Sequence, residues 1–182
     1  MTEFTLHTIE SAPAKSKPML EQSLNDYGMV PNLHAVMAEA PALLEGYQTL
    51  HKLFTESSFN AEELTVVWQT INVEHGCHYC VPAHTAIAHS MEVDVKITDA
   101  LRNRTAMPTE KLQVLHETTI SMVRDRGVLS EQLLTHFFAA GYGQQQLLEI
   151  VLGLSQKVIS NYTNHLANTA VDEPFLAFAW EK

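Results

Sequence analysis

Apolar residues recur at every third or fourth position in four separate segments of this chain, and no segment sustains alternation at every second position between turn signals. Residues spaced by three or four share one face of a helix, whereas a half-buried strand needs a period of two. The chain is therefore predicted to be all-α. The nearest strand candidate, Val93 to Ile97, is too short to build a sheet.

The sharpest helix runs from Asn60 to Gly76. Asn60 followed three residues later by Glu63 fits a capping box, Leu64, Val67, Trp68 and Ile71 form an apolar stripe, and Gly76 suits the left-handed turn that ends a helix. This places Cys77 and Cys80 at or just ahead of a second helix running through Ala86 towards Met91. Pro82 agrees, since proline is tolerated within a first helical turn. Upstream, the stretch from His34 to Phe54 is interrupted by Pro41, which gives two helices or a kinked one. Downstream, Thr109 to Arg126, Ser130 to Ala140 and Gln144 to about Ala167 read as three more. The last carries few charges on any face, which implies burial in the core or against another subunit. The apolar tail Pro174 to Trp180 is expected to pack, within the chain or between subunits.

At 182 residues with 46% hydrophobic content the chain can bury one core, so residues 1–18 read as a loose leader and 19–182 as a single domain, with the chemical motif at 74–84. A net charge of -10 with only 11 Lys and Arg argues against nucleic acid or an anionic membrane as partner. No apolar stretch approaches the roughly 20 residues of a membrane span, and the segment from Met1 to Lys17 is not signal-like, so a cytoplasmic location is expected. In such a reducing compartment, two cysteines spaced C-x-x-C are more often redox-active or metal-binding than a structural staple.

His84 lies four residues after Cys80 and seven after Cys77, so one imidazole is expected on the helical face of both sulfurs. The thiolate is the nucleophile, and at an ordinary pKa of about 8.5 only a few per cent is present at neutral pH. A helix N-terminus, a nearby imidazole and a second thiol can each lower that value. The same spacing lets one sulfur attack a peroxide and the other resolve the sulfenic acid to a disulfide. That cycle needs no cofactor and no metal, only an external dithiol or protein reductant. Two rival readings stand beside it. The cysteines could be buried small hydrophobes, or Cys77, Cys80, His84 and one of His75, His78 or His89 could hold zinc, although no second ligand pair follows at a distance. Val81 after Cys80 excludes a c-type haem site.

The run Gly76-Cys77-His78-Tyr79-Cys80-Val81-Pro82-Ala83-His84 resembles the carboxymuconolactone decarboxylase-like superfamily, in particular its alkylhydroperoxidase D-like branch. The C-x-x-C-x-x-x-H spacing is the specific part, and a looser likeness extends from Val30-Pro31-Asn32-Leu33 to about Met91. The resemblance implies an all-helical fold assembled as trimers or hexamers, with Cys80 peroxidatic, Cys77 resolving and His84 relaying protons. Two departures mark the chain: Thr65 stands where the branch has a Glu, and Tyr79 where it has a His. Glu74, three residues before Cys77, is the expected substitute carboxylate, while Glu63 is already used by the capping box. Tyr79 is read as a packed aromatic or a donor to a reacting oxygen. His116, His136 and His165 are read as structural, and the polar run Asn161 to His165 as lining the site or capping a neighbouring chain.

The expected activity is thus reduction of a small hydroperoxide, with Cys77, Cys80, His84 and Glu74 as site residues. A lactone decarboxylase or isomerase and a non-enzymatic redox-sensing module are the alternatives.

Overall fold

The computed structural model describes residues 3–181, and among them there are nine α-helices, a C-terminal 3-10 helix and no strand. The helices are α1 (Lys17–Tyr27), α2 (Asn32–Met37), α3 (Pro41–Thr55), α4 (Ala61–His75), α5 (Cys80–Ser90), α6 (Val95–Asn103), α7 (Glu110–Arg124), α8 (Glu131–Ala139) and α9 (Gln144–Ala167), followed by the 3-10 helix Glu173–Phe178.

Local chemistry sets most of these boundaries. Asn60 accepts from the Glu63 N–H at 2.9 Å while the Glu63 carboxylate takes the Asn60 N–H at 3.1 Å, so both halves of the capping box form. Gly76 closes α4 at φ 65°, a conformation that costs most residues free energy and glycine little. Thr109 and Ser130 accept the third N–H of α7 and α8 in the same way. Pro41 separates α2 from α3 as two helices, because it opens the second rather than kinking one.

Two further helical stretches emerge, and one expectation is corrected. Val93 to Ile97 leads into α6, since the Asp94 carboxylate caps the Lys96 N–H at 2.9 Å. A helix, α1, occupies the stretch ahead of Gly28. The segment read as a loose leader is packed: Ala12 and Ser16 are buried, the Ser16 hydroxyl donates to Ala38 O at 2.6 Å, and His7 N donates to Ala35 O. These contacts are tertiary, so no local pattern announces them.

α4 is buried nearly all round and packs against α5, α6, α7 and α9. Its Trp68 is the hub, edge-on to Phe54 of α3, stacked with His51 of α3 and tilted against His84 of α5. α3 lies so close to α9 that a Cβ on Gly153 would meet the Phe54 ring at 2.7 Å. That contact sets α9 against the site, because Lys157, Asn161 and Asn164 follow on the same face as Gly153. The opposite face of α9 leaves Leu148, Val151, Tyr162 and Leu166 exposed. The tail packs within the chain: Arg102 donates to the carbonyls of Phe178 and Ala179 at 3.0 Å, and Trp180 donates to Arg102 O at 3.1 Å. No helix among the described residues is long and apolar enough to cross a membrane.

Candidate functional site

The left-handed turn at Gly76 lets Cys77 N bond back to Asn72 O and delivers the chain into α5. Cys80 is the first residue of α5, and its N–H donates to Cys77 Sγ at 3.2 Å, so the first cysteine takes up one of the free N–H groups of the helix start. The positive end of α5 therefore acts on Cys80. Both thiols are free and buried.

A network of side-chain amides fixes this turn from two sides. Asn72 of α4 donates to Cys80 O at 3.4 Å and to Gln69, Gln69 donates to Val81 O and Thr85, and Asn161 of α9 donates to Asn72 and binds the His75 ring. Asn164 of α9 completes it by donating to Cys80 Sγ at 3.2 Å. The polar run at the end of α9 thus lines the site, as one of its two readings held.

Cys80 opens onto a cavity of about 300 Å³ that it shares with Tyr47, Tyr79, His84, Lys157 and Phe175, and that reaches the exposed ring of Tyr27. Lys157 of α9 is wholly buried and its ammonium donates to His84 Nε2 at 2.7 Å. An ammonium has no lone pair to offer, so the His84 proton sits on Nδ1, which has no protein partner. Among the described residues no hydrogen bond joins His84 to either sulfur. The structure brings Cys77, Cys80 and His84 together, but the ring meets the thiol region through Lys157.

The two thiols are driven in opposite directions. Burial resists ionisation of Cys80, but the Cys77 thiol, the Lys157 ammonium and the amides of Asn164 and Asn161 outweigh it and hold Cys80 well below the ordinary thiol range. Cys77 is held above that range, first by its hydrogen bond to Cys80 and then by burial. One sulfur is thus favoured as thiolate and its neighbour as thiol. Burial keeps the surrounding rings neutral: it pushes His34 down to about 3, His51 to about 4 and His84 well below its usual value, and the Lys157 ammonium adds to the effect on His51 and His84.

Glu74 does not join this group. Arg124 of α7 takes both of its oxygens, at 2.7 and 3.0 Å, and holds the carboxyl below its ordinary value. Nearness in sequence misleads here because the turn at Gly76 sends Cys77 away from the face of α4 that carries Glu74. Tyr79 is a packed, buried aromatic whose hydroxyl donates to Asp172 and accepts from Leu33 N at 3.4 Å. The proposed zinc ligands go elsewhere: His75 binds Asn161, His78 binds Thr169 O and His89 meets Phe178 edge-on. Among the described residues no three His, Cys, Asp or Glu side chains are grouped closely enough to hold a metal.

Lys157 is the site residue that sequence reasoning missed. A signal existed, because Lys157 lies seven residues after Ile150 and seven before Asn164, which places the only lysine of α9 on its buried face.

Architecture and site together define an all-helical fold of the alkylhydroperoxidase AhpD core type. The chain superposes with a TM-score of 0.84 on the alkylhydroperoxidase AhpD core of an uncharacterized peroxidase-related protein from Ralstonia eutropha JMP134, at 15% identity and over 95% of this chain and 93% of that one. A peroxidase-related protein from Silicibacter sp. TM1040 gives 0.80 at 17% identity, covering 96% and 95%. The debrominase Bmp8, as a cysteine-to-alanine variant in complex with 2,3,4-tribromopyrrole, gives 0.80 at 16%, covering 97% and 95%. Sequence comparison matches the chain to no family model and to no curated protein.

Proposed function

We propose that this protein is a thiol-dependent reductase of organic hydroperoxides, with Cys80 as the attacking thiolate, Cys77 as the resolving thiol and His84 as part of the proton path. The observation that carries this reading is the paired polarisation of the two thiols: Cys80 is favoured as an anion at a helix N-terminus and at the wall of a cavity, and Cys77 remains protonated beside it. Attack by Cys80 on the terminal oxygen breaks the O–O bond and gives a sulfenic acid and an alcohol. Cys77 then displaces water to form the disulfide, and an external dithiol restores both thiols. The aromatic and aliphatic lining suits a substrate with an apolar body better than hydrogen peroxide.

A second reading has support of its own. The rings of Tyr27, Tyr47, Tyr79 and Phe175 around the cavity suit a flat aromatic substrate, and a structural neighbour is a debrominase. Reductive loss of bromide from an aryl bromide would use the same two thiols, giving the arene, bromide, a proton and the disulfide. The exposed apolar face of α9 supports association with further copies of the chain, as the trimer or hexamer of the resemblance would require.

Turnover of cumene hydroperoxide and of a brominated pyrrole, each with dithiothreitol, tests the assignment. The expected result is alcohol formation that is lost in Cys80→Ser. Unchanged alcohol formation in Cys80→Ser overturns the role of Cys80, and bromide release without alcohol formation selects the second reading.

A further inference from the structure

Lys157 is 0% exposed, and no carboxylate reaches it: the ion pairs among the described residues join Glu63 to Lys111, Glu74 to Arg124 and Glu39 to His7. A buried ammonium without an anion is strongly disfavoured. The titratable groups that act on it are Cys80 and His84 from α5, Cys77 just before α5, and His51 from α3. Cys80 and Lys157 line the same cavity, and with the imidazoles neutral and Cys77 a thiol, the thiolate of Cys80 is the anion left to balance this lysine. Burial also weakens the hold of Lys157 on its proton, while the thiolate strengthens it.

We propose that Lys157 is the catalytic acid of the site: its ammonium pairs with the Cys80 thiolate at rest and then protonates the alkoxide set free when the O–O bond of the hydroperoxide breaks. The inference rests on the hydroperoxide reading and deepens it.

Cys80 sulfur gives an electron pair to the terminal oxygen of ROOH, the S–O bond forms and the O–O bond breaks, so sulfur is oxidised and the peroxide reduced by two electrons. RO⁻ takes a proton from Lys157, leaving Cys80–SOH, ROH and a neutral amine. Oxidation removes the negative charge that kept Lys157 protonated, so the acid is strongest when the leaving group needs it. The Cys77 thiol then condenses with Cys80–SOH, releasing water and forming the disulfide. An external dithiol returns two thiols, and the Cys80 proton passes back to the Lys157 amine. His84 Nε2, 2.7 Å from Nζ, orients the lysine throughout. No carboxylate is required in this scheme, consistent with Thr65 and with the diversion of Glu74 to Arg124.

The test compares two electrophiles on the same sulfur. Iodoacetamide releases iodide and needs no proton, whereas cumene hydroperoxide releases an alkoxide that does. Dividing the second-order rate constant for the peroxide by that for iodoacetamide cancels the fraction of thiolate at each pH. In Lys157→Met both rates should fall at neutral pH, and their ratio should fall by a further factor of about 100, the low end of general acid catalysis. An unchanged ratio at every pH would show that the lysine acts by charge alone and overturns the proposal. Reaction of the variant with iodoacetamide reports that its site is formed, and Lys157→Gln gives a second chance should Lys157→Met not fold. A wild-type protein that reacts with iodoacetamide but not with the peroxide instead overturns the functional reading beneath the proposal. The two failures are therefore distinguishable.

Discussion

Acid should unfold this protein by charging histidines that the fold keeps neutral. His34 and His51 sit at about 3 and about 4 in the folded chain against an ordinary 6.5, and burial is the main cause for both. Their folded values are depressed, so the stability they carry is complete above about pH 6.5 and is lost as pH falls toward the folded values, because the unfolded chain takes up the protons first. From about pH 7.5 to about pH 5, each of the two costs about 2 kcal/mol, or about 4 together, and His84 acts in the same direction. Against a total stability of about 5–15 kcal/mol, that loss is roughly a quarter to four-fifths of the whole. Urea unfolding followed by far-ultraviolet circular dichroism at fixed ionic strength measures it. His51→Phe isolates one contribution. The His51 ring lies 5.5 Å from that of Trp68 at 12° and its Nδ1 has no partner, so a phenyl ring fits the stack without stranding a donor. The variant should be no less stable at about pH 7.5 and should lose about 2 kcal/mol less on acidification. A wild-type profile flat to within about 1 kcal/mol, or a variant profile parallel to the wild type, would refute the reasoning.

Two further outcomes follow from the contacts. Glu74→Gln should change peroxide turnover less than about twofold and cost at most about 1 kcal/mol in a urea melt, because it removes one ion pair at the surface rather than a proton carrier. Gly153→Ala should destabilise by about 1 kcal/mol in the same assay, since overpacking against the buried Phe54 ring outweighs the gain in helix propensity.

The parts of the fold that were legible in the sequence are those whose signals are local. The Asn60–Glu63 box, the turn at Gly76 and Pro82 in a first helical turn together placed Cys77 and Cys80 at the start of α5. The Thr109 and Ser130 caps placed α7 and α8. Local patterns failed where tertiary contact decides. Val93 to Ile97 is too short to declare a period, and it is the Asp94 cap that commits the chain to α6. The segment before Lys17 packs through hydrogen bonds to Ala35 and Ala38 rather than through any periodicity of its own. At the site, the sequence shows two thiols and an imidazole within eight residues, but what makes the thiols unequal arrives from α9, with Asn164 on Cys80 and Lys157 on His84. Glu74 is the converse, close in sequence and turned onto α7.

The most direct measurement is the stoichiometry of one turnover. Fully reduced protein is mixed with one equivalent of cumene hydroperoxide in the absence of a reductant, and thiols, alcohol and the peptide carrying residues 77–80 are quantified. The expected result is two thiols lost and one alcohol formed per peroxide, with mass mapping of a Cys77–Cys80 disulfide. Peroxide left unconsumed with both thiols intact would contradict the claim that Cys80 is an ionised nucleophile open to substrate.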